Sequence, residues 1–360
     1  MIALHAVFHL FRELAAMPIN WVAEVGGPVV VASRVRLARN LADVSFSDNV
    51  SDEVAAAIGD RLTAALSCVE NDFRAIPIGV LAPEMQQFFC ERRLLHRRSL
   101  PARVGLGIAL LRTRPIQLRW NVEDHIKISC TLPGLCLEDA YALVDGMDDA
   151  LSSQLPIAFD SELGYLTADP GNVGTGLRAS LLLFLPAIVL EGNATQLVDV
   201  VRKAGCAITG ANGMGSSPDG FFFQVFNRCT LGESEKTLLG RVHEIGEILQ
   251  KKELQARTEL WEKSAPQLRD RFARILAILT HAQLMPLQEA VELLVQIRLA
   301  ACYGMLPNAA VSRIDRLLVE ICPCHLQLLH GEWVAPELHE SLRAELLRKV
   351  FAEEEFLLSC

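Results

Sequence analysis

A change of hydrophobic period near residue 235 constrains this chain more than any other feature. Upstream, between about 103 and 133, apolar residues come in short runs. These are "VGLGIALL", "IQLRWNV" and "HIKISCTL", split by Arg-Pro and Glu-Asp, a pattern that predicts antiparallel strands. Downstream, apolar residues recur every three or four positions. Leu238, Val242, Ile245 and Leu249 form one stripe, Ile314, Leu317, Leu318 and Ile321 another, and Leu342, Leu346 and Val350 a third, each the mark of a helix with one buried face. The fold class expected is α+β: an antiparallel sheet flanked by helices over residues 28–254, then an all-helical domain over 255–360. Residues 1–27, opening on the amphipathic "MIALHAVFHLFREL", form a helical lead.

Within the mixed domain, Ser51 followed by Asp52 and Glu53 starts a helix whose Val54, Ile58, Leu62 and Leu66 share one face. "CLEDAYALVDGMDDALSSQL" is also helical, and a buried helix is expected around 179–190. "CAITGANGMGSSPDGFFFQVFNRCTLG" is read as two strands around a loop of the kind that often covers a site.

Composition narrows the function classes. The net charge of −9 and pI near 5.6 argue against general nucleic-acid binding. The longest apolar run, Ala179 to Leu190, is broken by Pro186 and falls short of the roughly 20 residues that span a bilayer. Ten cysteines without regular spacing read as reduced thiols of a cytoplasmic protein. Cys322, Cys324 and His325 hint at a metal, but no second pair stands at ligand spacing.

Three stretches could carry chemistry. In "VVVASRVRLARNL", Arg34 and Arg36 share a strand face, either as two guanidinium forks for phosphates or as a solvated face. In "NVEDHIKI", Glu123 could take a proton and Lys127 could touch a phosphate, or the segment is a polar turn. In "GYLTADPGNVGTGLRAS", Gly174 and Gly176 allow a close backbone approach, and Arg178 would begin the helix that follows. There a cation is disfavoured by the helix dipole unless an anion accompanies it.

Taken together, "SRVRLARNL", "N-x-EDHI" and "GYLT-x-x-P-x-NVGTGLRAS" resemble the ATP:guanidino phosphotransferase (phosphagen kinase) family. Within it the likeness is greatest to the bacterial protein-arginine kinases of the McsB type. The resemblance extends through "FDSELGYLT", "LPAIVL" and "FQVFNRCTLG" into the helical part. It implies an enzyme that uses ATP, with Mg²⁺ held through the phosphates, to phosphorylate arginine side chains of protein substrates. It also implies cytoplasmic partners, namely a Clp-type unfoldase-protease and an activator protein, and a homodimer built on the helical domain. Carried over by position, Ser33, Arg34, Arg36, Lys127, Arg178, Ala179 and Ser180 bind the nucleotide. Glu123 orients the acceptor guanidinium and takes its proton.

Several positions depart from the family pattern. Lys127 stands for an arginine. Asp169 stands for the cysteine of Thr-x-Cys-Pro-Thr-Asn, and Val122 for the first glutamate of Asn-Glu-Glu-Asp. Thr209 and Met214 replace the arginine and glutamate of Arg-Gly-x-x-Gly-Glu-Gly. Losing the last two is expected to cost about 10⁴-fold in rate if their effects are independent. Asp169, beside the acceptor pocket, either takes over part of the missing carboxylate's task or is drift in a site no longer under demand. The alternative expectation is a catalytically dead pseudokinase acting as an adaptor. Of the C-terminal Arg-Asp-x-x-Arg-Ala phosphoarginine motif, only Arg343 and Ala344 remain, in "HESLRA".

Overall fold

The computed structural model describes residues 2–23, 27–46, 50–210, 221–307 and 309–352. Eight strands form one sheet, every neighbouring pair antiparallel. In spatial order they are β2 (Phe73–Pro77), β3 (Gly107–Leu111), β4 (Ile116–Val122), β5 (Asp124–Pro133), β1 (Val30–Arg39), β8 (Leu177–Phe184), β10 (Phe222–Asn227) and β9 (Cys206–Gly210). A separate two-stranded ribbon joins β6 (Phe159–Asp160) to β7 (Gly164–Tyr165).

Alternation along these strands sorts two faces. Val35, Leu37, Leu118, Ile126, Ile128, Ala179 and Leu181 point one way into an apolar core. That core is covered by α2 (Asp52–Val69), α4 (Leu137–Ser152) and the first half of α7 (Glu235–His281). Ser51 caps α2 by accepting a hydrogen bond from the Val54 amide. The buried stripe of α2 is Ala55, Ile58, Leu62 and Leu66, while Val54 is exposed.

The expected helix at 179–190 is corrected. Residues 177–184 are strand β8, and only Pro186–Leu190 (α5) is helical. From Leu181 to Phe184 the strand has core on both faces, Leu181 and Leu183 toward the sheet core and Leu182 and Phe184 toward the helical core, and that apolar run leading into α5 mimics a buried helix. Arg178 is therefore a strand residue, and the helix-dipole argument for it falls.

Below the sheet edge, α1 (Ile2–Ala16), α3 (Pro83–Glu91) and α10 (Pro323–His330) share a small core around Phe11, Phe88 and Phe89. There Glu91 accepts from the Cys324 and His325 amides and pairs with His325 Nδ1 at 2.7 Å. These groups are tied into packing, and among the described residues no cluster of three His, Cys, Asp or Glu side chains is arranged to hold a metal.

Helix α7 kinks at Ser264, two residues before Pro266. Beyond it, α8 (Leu287–Cys302), α9 (Ala309–Glu320) and α11 (His339–Phe351) form a helical core with Phe184 and Phe222 of the sheet. Ile314, Leu317, Ile321, Leu347 and Val350 are consumed in this core, so these stripes are not open faces awaiting a partner. Fully buried Arg298 pairs with Asp315 at 2.7 Å and donates to the Gly27 carbonyl, which fixes the helical part against the sheet. The remaining helix, α6 (Ala194–Lys203), packs on β9. Among the described residues no helix is long and apolar enough to cross a membrane.

Candidate active site

The second face of the sheet is polar. Register places Arg36 opposite Ser129 on β5 and opposite Arg178 on β8, Arg34 opposite Ser180, and Lys127 opposite Arg119. Successive partners across antiparallel strands point to the same side, so Arg34, Arg36, Arg119, Lys127 and Arg178 converge. They line a cleft of about 1030 Å³ between the sheet, the 90–99 segment and helices α8 and α9.

This cationic face is short of counter-charge. Arg34 Nη2, Arg36 Nε and Arg119 Nε are buried without a hydrogen-bond partner, a costly arrangement unless an anion completes it. Burial, reinforced by the charge of Arg36, lowers the pKa of Arg34 to about 10 and that of Arg178 to about 10. Arg119 is depressed by burial and then by Arg34 and Arg36. Arg178 also lies over the Phe226 ring, 4.5 Å from its centroid.

The carboxylates come from two tight turns. Between β4 and β5, Asn121 and Glu123 both adopt left-handed φ, 57° and 59°, a conformation uncommon outside glycine and held where surrounding structure enforces it. Asn121 is locked by donating to the Ala55 and Gly105 carbonyls. The turn puts the Glu123 side chain at the cleft mouth, 58% exposed, in contact with the buried Lys127 ammonium. Burial raises the Glu123 pKa, but Lys127, Arg36 and Arg119 together outweigh it and leave the group below its ordinary value.

Asp124 is fully buried. It accepts from Asn40 Nδ2 at 3.0 Å, the Ala168 amide at 2.8 Å and Asn172 Nδ2 at 3.1 Å, pinning the glycine-rich loop to the sheet. Asn172 in turn accepts from Arg36 at 3.2 Å. Asp169 is exposed at the rim of the same cleft, and its carboxylate caps the following turn by accepting from the Gly171 amide at 2.9 Å.

The glycines serve packing rather than ligand approach. Gly174 and Gly176 have φ of 108° and 67°, and a Cβ on either would stand 2.5 Å from the Thr230 carbonyl oxygen or 2.6 Å from that of Ala38.

Of the sequence-predicted residues, Arg34, Arg36, Glu123, Lys127, Asp169, Arg178 and Ser180 meet in one cleft. Two face elsewhere. Ser33 Oγ donates to the Gly134 carbonyl and accepts from the Cys136 amide, and the Ala179 side chain lies in the apolar core. Thr209 also lines the cleft, and Val122 packs into the small core around Phe88. Met214 lies outside the described residues. Sequence reading missed Arg119, yet its signal was present. Counting back from the turn at Glu123 in "IQLRWNVEDHIKI" pairs Arg119 with Lys127 on one face.

Arg343, the remnant of the phosphoarginine motif, is 2% exposed and donates to the Ile321 and Met285 carbonyls, both at 2.8 Å.

ATP and Mg²⁺ fit this chemistry. The unpartnered guanidinium nitrogens suit phosphate oxygens, which would in turn carry the Mg²⁺; among the described residues no carboxylate cluster is arranged to ligate a cation. Comparison with known proteins identifies the family. The ATP:guanido phosphotransferase C-terminal catalytic domain matches residues 53–256, and the protein-arginine kinase McsB C-terminal domain matches 265–356. The protein-arginine kinase of Moorella thermoacetica is 35% identical over 91% of this chain and 96% of its own length. That of Caldanaerobacter subterraneus is 33% identical over 88% and 95%. Among solved structures, lombricine kinase superposes with a TM-score of 0.55 at 19% identity, over 67% of this chain and 69% of that one. The duplicated taurocyamine kinase of Schistosoma mansoni gives the same TM-score at 24% identity, over 63% of this chain and 33% of that longer one. These two likenesses establish the shared fold. The chain belongs to the ATP:guanido phosphotransferase family and carries the C-terminal domain of its protein-arginine kinases.

Proposed function

We propose that the cleft binds Mg·ATP and transfers its γ-phosphate to arginine side chains of proteins. The observation that carries this reading is the set of buried guanidinium nitrogens on Arg34, Arg36 and Arg119 without a partner, beside the half-exposed carboxylate of Glu123. Arg34, Arg36, Arg119 and Arg178 hold the phosphates, whose remaining charge a phosphate-bound Mg²⁺ would offset. Glu123 accepts hydrogen bonds from the acceptor guanidinium and takes the proton lost when nitrogen bonds to phosphorus. Asp169 supplies a second carboxylate at the rim. Catalysis is chiefly alignment and electrostatic stabilisation, and neutral Thr209 in the cleft makes it slower than a full set of cations would. Full-length protein incubated with Mg·ATP and an arginine-rich unfolded protein, then analysed under non-acidic conditions by mass spectrometry, yields phosphoarginine on this reading. Nucleotide binding without product would leave an adaptor. The same reading places the protein in the cytoplasm, feeding phosphoarginine-marked chains to a Clp-type unfoldase-protease.

A further inference from the structure

We propose that Lys127 is a resident cation on Glu123 that competes with the acceptor guanidinium, so that an anion in the cleft must draw the ammonium away before the acceptor can dock. This inference deepens the kinase reading and rests on it.

The geometry is asymmetric. Lys127 is 2% exposed and cannot retreat to water, whereas the Glu123 side chain it contacts is 58% exposed. An acceptor arriving from solvent meets a carboxylate whose Oε2 is already occupied. The charges around Lys127 hold it there. From β1 it faces Arg36, and from β4 its register partner is Arg119; both repel it. From its own hairpin, Asp124 Oδ2 lies 3.7 Å away, but Asp124 already accepts from Asn40, Ala168 and Asn172. Arg178 and Asp169 stand further across the cleft. A polyphosphate seated between Arg36 and Arg119 reverses the sign of that field and attracts the ammonium inward. A guanidinium at this position has donors enough to hold carboxylate and phosphate together, while a compact ammonium is directed to one of them at a time. Nucleotide binding and acceptor binding then become cooperative.

Titration offers a second key to the same lock. Burial, with Arg36 adding to it and Glu123 and Asp124 opposing, lowers the Lys127 pKa to about 8. Above that pH the amine is neutral and Glu123 is released. Acceptor affinity measured without nucleotide therefore rises as pH increases, by roughly tenfold between pH 7 and pH 9, because each pH unit below the pKa of a dominant locked form costs a factor of ten.

The test is calorimetric binding of a blocked Gly-Arg-Gly peptide to the full chain from pH 7 to 9, with and without a non-hydrolysable ATP analogue and Mg²⁺. The wild type is expected to show the tenfold rise with pH, and at pH 7 a gain in peptide affinity when the analogue is present. Lys127→Met is expected to bind at pH 7 as the wild type does at pH 9, with a flat profile. Lys127→Arg, which keeps the charge if the methionine variant fails to fold, is expected to lose the pH dependence as well. A flat wild-type profile, or the same rise in the variants, overturns the lock while phosphoarginine formation keeps the kinase reading intact. No peptide binding in any protein at any pH overturns both.

Discussion

Arg36 on β1 and Arg178 on β8 are direct register partners, two guanidinium side chains facing the same cleft. Among the described residues neither is within ion-pair distance of a carboxylate; Arg36 donates to Asn172 and Arg178 rests on Phe226. Like charges directly opposite in a sheet cost about 0.2–1 kcal/mol, and an anion between them converts that cost into binding. Mg·ADP at a hundredfold excess over its Kd is therefore expected to stabilise the protein by about 2.7 kcal/mol, which appears as a rise of several degrees in Tm. Arg178→Met is expected to abolish this shift and to leave the unliganded protein as stable as the wild type or up to about 1 kcal/mol more so. Differential scanning fluorimetry with and without nucleotide reads both effects. A lower unliganded Tm with an intact nucleotide shift would contradict the assignment.

Asp124 is the joint between sheet and loop. Removing its carboxylate strands the donors of Asn40, Asn172 and the Ala168 amide and leaves Lys127 with less counter-charge. Asp124→Ala is expected to cost about 3–5 kcal/mol in urea denaturation, with hydrogen exchange accelerated first over residues 167–173. A cost below about 1 kcal/mol would show that the loop is held by other contacts.

Asp169 has two separable jobs, capping the turn through Gly171 and presenting charge to the cleft. Asp169→Asn keeps an acceptor for the cap and removes the charge. It is expected to slow phosphoryl transfer roughly 10²-fold with an unchanged Tm. Glu123→Gln is expected to slow it at least as much. If Asp169→Asn transfers at the wild-type rate while Glu123→Gln is inert, Asp169 has no share in the chemistry.

Arg343 is a structural brace. Its guanidinium bridges the carbonyls of Ile321 and Met285, so Arg343→Ala is expected to destabilise the protein by about 2–3 kcal/mol, through two buried carbonyls left unpaired. Wild-type Tm is expected to stay constant on adding phosphoarginine. A phosphoarginine-dependent rise that the variant loses would restore the regulatory pocket.

Much of this architecture was legible from local pattern. The strands at 107–133 were readable because their apolar runs are short and split by Arg-Pro and Glu-Asp at the turns, and the stripe Leu238, Val242, Ile245 and Leu249 because only that face of the helix is buried. Residues 177–184 defeated the same logic, since beyond Ser180 the alternation is lost: Leu181 and Leu183 fill the sheet core while Leu182 and Phe184 lie against the helical core. The site was partly legible too. Arg34, Arg36 and Arg178 stood out as motif residues, but Arg119 becomes visible only once β4 and β5 are folded about Glu123 and their register is counted. The tie between Asp124 and the loop at 168–172 spans more than forty residues, and no local pattern encodes it. Ser33 and Ala179 were carried over by position, and strand alternation turns both away from the cleft.

The central claim is that this cationic face aligns ATP with an arginine side chain beside Glu123. Its most direct test is mass spectrometry, under non-acidic conditions, of an unfolded arginine-rich protein after incubation with the full chain and Mg·ATP. Phosphoarginine that appears with wild type and disappears with Glu123→Gln is the result expected. Substrate left unmodified by wild type, while nucleotide still raises its Tm, would contradict the claim.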